Sequence, residues 1–332
     1  MPNPSAAAFA ALSLLFAAVP ARHTPPDLRV VEYAIPRAGN FPHDPAVGPD
    51  GIVWYTDQHN SYIGRLDPTT GRITDYPTPT PRSGPHGIIV APGGAVWYTA
   101  QRAGRLGRLD PATGRITEFP LPAAVRNPHT PLFNGGKIWF TDADNSAYGR
   151  LDPATGRVDV FRTPTPNAVP YGITNASNGA IWIAMLGTNK LGRVDPTSGT
   201  MQEYPLPDPG ARPRRLAVDR YGTIWYTDFA RGYLGALDPA SGRVQEWKSP
   251  SDKAGPYGIA VGPDGRIWYD EAATNLMVAF DPVRERMDTL RIPSAPCIVR
   301  NIAVDFRRGR IWLAESGVGR LGLIDAAASP AR

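Results

Sequence analysis

One tryptophan recurs at a nearly constant interval along the chain. It stands at Trp54, Trp97, Trp139, Trp182, Trp225, Trp268 and Trp312, with spacings of 43, 42, 43, 43, 43 and 44 residues. Each lies in a similar unit: a P-x-G-I-like start, a glycine-containing turn, I/V-W-Y-T-D, I-G-R-L-D-P and T-G-R-I-T-E-Y-P. A period of roughly 40–45 residues is typical of a chain built from copies of one supersecondary unit.

Each unit reads as four short strands. The first is apolar, as in residues 258–261, and the turn Pro263-Asp264-Gly265 that follows it indicates a hairpin. The second strand carries the tryptophan, as in residues 266–269, the third is of the type 191–195 and the fourth of the type 201–204. Glycine and proline interrupt the chain roughly every eight to twelve residues, which argues against a helical repeat.

Units of this kind predict an all-β fold, a seven-bladed β-propeller of four-stranded antiparallel blades. The repeated tryptophan is then expected in the core between stacked blades. The last unit stops after its third strand, near residues 321–325, and a strand of the fourth type, residues 29–33, precedes the first unit. We predict that this N-terminal strand completes the last blade and closes the ring.

The first 21 residues differ from the rest of the chain. Residues 7–18 are almost all small or apolar, and Val19-Pro20-Ala21 is typical of a cleavage site, although no Lys or Arg precedes the apolar run. The segment is too short to span a bilayer comfortably, so residues 1–21 are predicted to be a signal peptide. Residues 22–332 then form a single propeller domain without a membrane span, exported to the periplasm or the extracellular space.

Charge and cysteine content narrow the possible partners. The net charge of +5 is carried mostly by arginine, and many arginines recur with the unit, such as Arg65, Arg108, Arg150 and Arg193 in the third strand. A residue that recurs in this way usually serves the repeat, so we expect no nucleic-acid partner. Cys297 is the only cysteine, which excludes an intramolecular disulfide, and we expect its thiol to be buried and unreactive.

Strand order predicts which residues share a face. The first strand runs away from one face and the second returns to it, so the start of the first and the end of the second lie together. The residues at the start of the first strand are His43, His86, His129, Tyr171, Arg214, Tyr257 and Arg300. Those at the end of the second are Asp57, Ala100, Asp142, Met185, Asp228, Glu271 and Glu315. Both sets vary while the scaffold repeats, which predicts a functional site at this mouth.

Three of the five histidines occupy one repeat position on adjacent blades. An imidazole has an unperturbed pKa of about 6.5, close to where a general base must work. Asp57 or Asp142 could orient an imidazole or bind a divalent metal through oxygen. The same residues are compatible with a structural role, in which they cap strand ends or neutralise the channel.

The unit P-H-G-I, I-W-Y-T-E, N-x-I-G-R-L-D and G-x-I-x-E-Y-P resembles that of the streptogramin B lyases, over the whole chain after residue 21. The resemblance implies a monomeric seven-bladed propeller that opens a cyclic depsipeptide antibiotic at its ester by elimination, and hence antibiotic resistance. In that family one histidine contacts the substrate. On the next blade a glutamate binds magnesium two residues before a second histidine, which is the base, and a glutamate at a strand end completes the metal site.

Carried over to this sequence, the resemblance assigns substrate contact to His86 and the role of base to His129. Asp142 matches the strand-end acid, and Asn127, in Asn127-Pro128-His129, falls at the remaining metal position. Mg²⁺ held by Asp142, Asn127 and water would polarise a carbonyl, His129 would remove the acidified α-proton, and the ester carboxylate would leave. The remaining residues expected to line the mouth and set specificity are His43, Tyr171, Arg214 and Tyr257.

Two other functions remain open from the sequence. A lactonase-like hydrolase would need a calcium ion in the channel, with Glu271, Glu315, Asp57 and Asn301 as candidate ligands. A non-catalytic propeller would recognise a peptide, a glycan or a cell-wall fragment at the mouth, which the variation between blades fits equally well.

Overall fold

The computed structural model describes residues 28–327, so the predicted signal peptide lies outside the described residues. The described chain forms seven antiparallel sheets of four strands each, which confirms the predicted seven-bladed propeller. Two short 3-10 turns, Gln101–Ala103 and Ala143–Asn145, follow the second strands of two blades. Within residues 28–327 no helix is long and apolar enough to cross a membrane.

Each blade contributes its first strand to the wall of the central channel. These first strands are β2 (Pro42–Val47), β6 (Pro85–Val90), β10 (Pro128–Asn134), β14 (Pro170–Asn175), β18 (Pro213–Val218), β22 (Pro256–Val261) and β26 (Val299–Asp305). The second strands are β3 (Val53–Asp57), β7 (Val96–Ala100), β11 (Lys137–Asp142), β15 (Ile181–Met185), β19 (Ile224–Asp228), β23 (Ile267–Glu271) and β27 (Arg310–Glu315). The third strands are β4 (Tyr62–Leu66), β8 (Arg105–Leu109), β12 (Ala147–Leu151), β16 (Lys190–Val194), β20 (Tyr233–Leu237), β24 (Leu276–Asp281) and β28 (Arg320–Asp325). The outer strands are β5 (Ile73–Pro77), β9 (Ile116–Pro120), β13 (Val158–Arg162), β17 (Met201–Pro205), β21 (Val244–Lys248), β25 (Arg286–Arg291) and β1 (Val30–Ala34).

The N-terminal strand closes the ring. β1 pairs antiparallel with β28, with Val30 opposite Ile324 and Ala34 opposite Arg320. The last blade therefore has the order β1-β28-β27-β26, as the sequence predicted. Closure of this kind joins the two ends of the chain in one sheet and removes the gap that an incomplete blade would leave.

The repeated tryptophans form the core between blades. Their exposed fractions lie between 0% and 4%. Trp54, in the first blade, packs in one cluster with Ile88 and Val96 of the second blade, and the other blades repeat this arrangement. A tryptophan truncated in such a position costs about 3–5 kcal/mol, so these residues hold neighbouring blades together and confirm the structural interpretation.

The glycine of the I-G-R motif has a packing reason. A Cβ atom built on Gly64 would overlap the ring of Tyr55 on the neighbouring strand, and Gly107 and Gly235 stand in the same relation to Tyr98 and Tyr226. The motif therefore belongs to the scaffold. Cys297 is likewise a core residue, 2% exposed, and burial raises the pKa of its thiol to about 12, which confirms the expected inert cysteine.

Candidate active site at the mouth of the propeller

Each first strand carries a β-bulge at the mouth. In β2 the two residues between Pro42 and Pro45 together oppose the single residue between Tyr55 and Asp57. The first strands of the other six blades show the same register shift. Bulges re-aim side chains beside functional sites, and here every blade presents two successive residues near the axis.

We define two rings from the bulge residues. The mouth ring holds the first bulge residue of each blade: His43, His86, His129, Tyr171, Arg214, Tyr257 and Arg300. The channel ring holds the second: Asp44, Gly87, Thr130, Gly172, Arg215, Gly258 and Asn301. The mouth ring is the set that the sequence singled out, and the structure brings its members together around one opening.

In four blades a threonine near the end of the second strand fixes the bulge. Thr56 Oγ1 accepts a hydrogen bond from the backbone N–H of Asp44 at 3.1 Å and donates one to the backbone carbonyl of His86 at 2.6 Å. Equivalent bonds run from Thr99 to the carbonyl of His129, from Thr141 to that of Tyr171 and from Thr227 to that of Tyr257. Four of the seven blades thus position the mouth-ring residue of the next blade.

One half of the mouth ring is a row of closely packed rings whose planes are tilted against each other by 41–52°. The centroids of His43 and His86 are 3.7 Å apart, those of His86 and His129 are 3.9 Å apart, and those of His129 and Tyr171 are 3.8 Å apart. The three imidazoles, which we call the histidine arc, are only 3–4% exposed. Because a protonated imidazole is poorly hydrated here, burial lowers the pKa of all three, well below the usual value at His86 and His129, and nearby cationic groups lower these pKa values further. The arc is therefore uncharged at neutral pH.

The hydrogen bonds of the arc differ between its members. His129 Nδ1 lies 2.9 Å from Thr130 Oγ1, and His43 Nδ1 lies 2.9 Å from Asp44 Oδ1. His86 Nδ1 is buried without a hydrogen-bond partner among residues 28–327. The imidazoles at either end are thus oriented by a hydrogen bond, whereas His86 packs between its two neighbouring rings and makes no such bond through Nδ1 to the described residues.

The other half of the mouth ring is cationic. The guanidinium carbon of Arg214 lies 3.8 Å from the ring centroid of Tyr257 and 4.7 Å from that of Tyr171. Arg214 also donates a hydrogen bond to the Tyr171 hydroxyl at 3.0 Å, and this hydroxyl contacts that of Tyr257. Arg300 approaches the Tyr257 centroid to 5.8 Å and the Phe41 centroid to 5.5 Å. Tyrosines and arginines therefore interleave by cation–π contacts.

The channel ring contains an ion pair that sequence reasoning missed. Arg215, from the fifth blade, donates to both carboxylate oxygens of Asp44, from the first blade, at 2.9 and 3.1 Å. Asn301 donates to the same carboxylate at 3.1 Å. Burial opposes ionisation of Asp44, but the Arg215 guanidinium overcomes it and holds the pKa of this carboxyl well below its usual range. Below this pair, the first strands enclose a cavity of about 310 Å³.

The sequence contains one pattern that indicates the channel ring. Its members alternate between side-chain-bearing residues and glycine around six of the seven blades, and a Cβ atom on Gly87 or Gly172 would overlap the backbone of the next blade. With seven blades the alternation fails once, where Asn301 and Asp44 meet and form a hydrogen bond.

The predicted magnesium ligands use their donor atoms elsewhere. Asp142 Oδ1 accepts the backbone N–H of Asn127 at 2.8 Å, and both of its oxygens lie within 3.3 Å of the N–H of Arg126. Asn127 Oδ1 accepts from Gln101 at 2.6 Å, and its Nδ2 donates to Asp144 at 2.8 Å. As arranged here, Asn127 and Asp142 do not fit an Mg²⁺ site, since both serve the loop that precedes β10.

Acids at the ends of the second strands in other blades also accept backbone N–H groups of loops. Asp57 accepts the N–H of Phe41 at 3.0 Å, Asp228 that of Arg212 at 3.0 Å, and Glu271 that of Ser251 at 3.2 Å. These acids share the face of the mouth ring, as predicted, but their carboxylates tie loops to strand ends. This is the structural alternative that the sequence left open.

The residues considered for a calcium site are not brought together as a ligand set. Asn301 is bonded to Asp44, Asp57 forms an ion pair with Arg37 at 3.1 Å, and Glu271 bonds the Thr274 hydroxyl at 2.6 Å. Glu315 is buried, and burial together with the neighbouring Glu32 carboxylate raises its pKa to about 8. Three of the four candidate ligands therefore already have partners, and the fourth, Glu315, is buried with neither carboxylate oxygen hydrogen-bonded among the described residues.

A different group has the spacing of metal ligands. Ligand atoms of His43, Asp44 and His86 lie within 4.8 Å of one another and are all buried. Asp44, however, already has the Arg215 guanidinium as its cationic partner. A second cation beside it would be repelled at short range, so the group is better described as an imidazole–carboxylate–guanidinium chain.

The model of the virginiamycin B lyase family matches residues 21–134 and 132–329. The chain belongs to the virginiamycin B lyase family. Consistent with this membership, His86 and His129 place two imidazoles side by side on neighbouring blades.

Solved structures of virginiamycin B lyase family members superpose over nearly their full length. A streptogramin B lyase has a TM-score of 0.83 and 26% identity, covering 90% of this chain and 97% of that one. Selenomethionine-substituted virginiamycin B lyase from Staphylococcus aureus has a TM-score of 0.83 and 25% identity, covering 90% and 99%. A catalytically inactive variant of the Staphylococcus aureus enzyme with quinupristin shares the fold at a TM-score of 0.83 and 24% identity, with the same coverage. No curated protein matches this chain.

Proposed function

We propose that this chain is an exported lyase that opens a cyclic ester or depsipeptide by elimination at the histidine arc. The observation that carries the proposal is the arc itself: three buried imidazoles packed against one another at the mouth of a propeller of the virginiamycin B lyase family. A relative of this family has been solved with quinupristin, which supports a cyclic peptide ester as the substrate class.

His129 is the proposed base. An unprotonated imidazole is the form that accepts a proton, and the low pKa of His129 keeps it in that form. When Nδ1 donates its proton to Thr130 Oγ1, 2.9 Å away, Nε2 carries the lone pair. Nε2 would take the proton α to the acyl carbonyl of the residue that carries the ester oxygen, a carbon–carbon double bond would form at that carbon, and the ester C–O bond would break to release a carboxylate.

The remaining members of the mouth ring bind and orient the substrate in this proposal. His86 and His43 offer flat apolar surfaces beside His129, and Tyr171 extends that surface by one blade. Binding several groups of one substrate in fixed positions lowers the entropic part of the barrier. Arg214 and Tyr257 would then face the polar side of the ring-shaped substrate.

No step of this proposal passes through magnesium. The donor atoms of Asn127 and Asp142 are engaged in loop hydrogen bonds, so the positive charge near the reacting groups comes from arginines of the mouth and channel rings. Dependence on Mg²⁺ stays a prediction, and turnover measured with and without a chelator tests it.

Disappearance of a cyclic depsipeptide ester, followed by chromatography, tests the function. We expect His129→Ala to lower turnover by at least about a hundredfold, the usual contribution of general-base catalysis. His59→Ala removes an exposed histidine outside the arc and serves as the matched control. Unchanged turnover in His129→Ala would refute the assigned base, and saturable binding without any product would identify a binding propeller instead.

Export is part of the same proposal and has its own test. The apolar stretch over residues 7–18 and the small residues before position 22 support it. Expression of the full chain followed by cell fractionation should give a mature protein that begins near residue 22 outside the cytoplasm. An uncleaved chain in the cytoplasm would contradict this proposal.

A further inference from the structure

Two arginines at the mouth have no carboxylate partner. Within the part of the chain that the structure describes, no Asp or Glu oxygen forms an ion pair with Arg214 or Arg300, and both Nε atoms are buried without a hydrogen-bond partner. Half-buried guanidinium groups normally gain a carboxylate or several acceptors in return for lost hydration. These two gain aromatic rings, which attract a cation without neutralising it.

The neighbouring Arg215, in contrast, has a carboxylate partner within the chain. Its side chain is 6% exposed and forms an ion pair with Asp44 at 2.9 Å. Arg214, one residue earlier in β18, lies closer to the same tyrosine rings, at 4.7 Å from Tyr171 and 3.8 Å from Tyr257 against 5.6 and 5.8 Å for Arg215, but forms no ion pair among the described residues. The chain therefore provides an internal anion for one of the two adjacent arginines and leaves the other for something else.

The nearest acids do not serve as that anion. Glu271 is bonded to the Ser251 N–H and the Thr274 hydroxyl, which hold it at the loop. Asp270 accepts the N–H of Gly258 at 2.7 Å inside its blade, and burial raises its pKa to about 8, so it is mostly neutral at neutral pH. Among residues 28–327 no carboxylate is left to lie between the two arginines, so an anion there would come from elsewhere.

We propose that Arg214, Tyr257 and Arg300 form a carboxylate-binding subsite, and that the histidine arc beside it takes a flat apolar group of the same ligand. Tyr257 lies between the two guanidinium groups, 3.8 Å from one and 5.8 Å from the other. A planar guanidinium matches a carboxylate with two parallel hydrogen bonds. Stacked aromatic side chains favour a flat partner at their edge or face.

This subsite extends the proposed function and rests on it in one respect, because the proposed elimination would supply the anion. Elimination at an ester releases a carboxylate that the substrate did not carry. A subsite that binds this group is occupied more strongly after the C–O bond begins to break than before, which is the requirement for lowering the barrier. The same subsite would make the enzyme sensitive to inhibition by its product.

A pair of probes that differ only in charge tests the subsite. Phenylacetate and phenylacetamide share ring and length, and their binding to the full chain can be titrated by calorimetry. We expect phenylacetate to bind saturably and at least about tenfold more tightly than phenylacetamide, as a charge-assisted hydrogen bond implies. Arg214→Ala and Arg300→Ala should each weaken phenylacetate by about tenfold or more and leave phenylacetamide unchanged.

Arg220→Ala is the matched control. It removes an equal charge from the opposite face, in the turn between β18 and β19, where Arg220 contacts only Tyr221 among the described residues. If an alanine variant fails to fold, Arg214→Lys and Arg300→Lys keep the charge and should retain part of the preference for phenylacetate. Equal binding of both probes, no binding of phenylacetate, or an equal loss in Arg220→Ala would overturn the subsite.

Failure of the subsite and failure of the proposed function can be told apart. If phenylacetate binds in an arginine-dependent manner but the chain opens no cyclic ester, the proposed subsite is supported and the proposed elimination is refuted. If the chain opens a cyclic ester but does not bind phenylacetate more tightly than phenylacetamide, the proposed elimination is supported and the proposed subsite is refuted.

Discussion

Asp44 and Arg215 meet across the propeller axis although 171 residues separate them in the chain. Both side chains are almost fully buried, at 2% and 6% exposed. Removing one partner of such a pair leaves an uncompensated charge in a region of low dielectric, which is far more costly than the net worth of the pair. The pair therefore links the first and fifth blades, and its carboxylate also orients His43.

Stability of the two single variants and the double variant measures this pair. We expect Asp44→Ala and Arg215→Ala each to lower the free energy of unfolding by about 3–5 kcal/mol, and the double variant to lose much less than their sum. The exposed pair Lys248–Asp252, treated in the same way, should change stability by less than about 1 kcal/mol. Additive losses at Asp44 and Arg215 in urea unfolding would show that the two charges do not interact.

The pair also predicts an acid dependence. Since the folded state lowers the pKa of Asp44, its contribution is present above the unfolded value of about 3.9 and is lost as the pH falls towards the folded pKa. Wild type should therefore lose stability below about pH 4 more steeply than the double variant does. Parallel acid unfolding curves would contradict the assignment.

Sequence patterns predicted the mouth ring but not the channel ring, and the reason is local. The tryptophan period predicts the seven blades, and the residue after the proline of each first strand marks the mouth. Which of two successive residues points outward depends on the bulge, because a bulge shifts the alternation of side chains by one. The sequence therefore did not show that Asp44 and Arg215 form a pair. It also did not show whether the carboxylates of Asp57 and Asp142 face the axis as ligands.

At the scale of the strand, the threonine in β3, β7, β11 and β19 is the element that positions the site. Its hydroxyl accepts a hydrogen bond from the backbone N–H of the second bulge residue and donates one to a backbone carbonyl of the next blade. In β23 this place is taken by Asp270, whose Oδ1 accepts the N–H of Gly258 at 2.7 Å and whose Oδ2 has no partner that donates to it. Asp270 therefore reproduces the threonine's bond to the bulge, whereas its buried Oδ2 has no hydrogen-bond partner on the next blade among the described residues.

Asp270→Thr should remove a pH dependence of stability. The folded state raises the pKa of Asp270 to about 8, well above the unfolded value near 3.9, so the unfolded chain releases this proton first as the pH rises. Stability of wild type should therefore fall between about pH 4 and pH 8, by up to ~1.4 kcal/mol per pH unit from this group. The threonine variant should be more stable than wild type at pH 7 and show a flatter profile, whereas a less stable variant at pH 7 would contradict the neutral carboxyl.

At the scale of the whole molecule, the N-terminal strand β1 closes the ring. β1 is the outer strand of the last blade, and Glu32 in β1 accepts hydrogen bonds from both the N–H and the hydroxyl of Ser294 in the loop after β25. Val30 belongs to a core cluster that contains Trp268 and Ile311. One short strand therefore links the last two blades, and through them the circular arrangement of the mouth ring.

Truncation tests this closure. A chain that begins at residue 36 should unfold at a lower temperature than one that begins at residue 28 and should form aggregates, because β28 becomes an exposed edge strand. We expect the difference in free energy of unfolding to reach several kcal/mol, since the truncation exposes the apolar side of β28. Equal melting temperatures of the two chains would show that closure by β1 contributes nothing.

We propose that the mouth of this propeller opens an ester by elimination. The most direct test is the mass of the product formed from a cyclic depsipeptide ester. Elimination predicts a linear product of unchanged mass that carries a new carbon–carbon double bond and is absent with His129→Ala. A product heavier by one water would identify a hydrolase, and an intact substrate across a panel of such esters would contradict the claim.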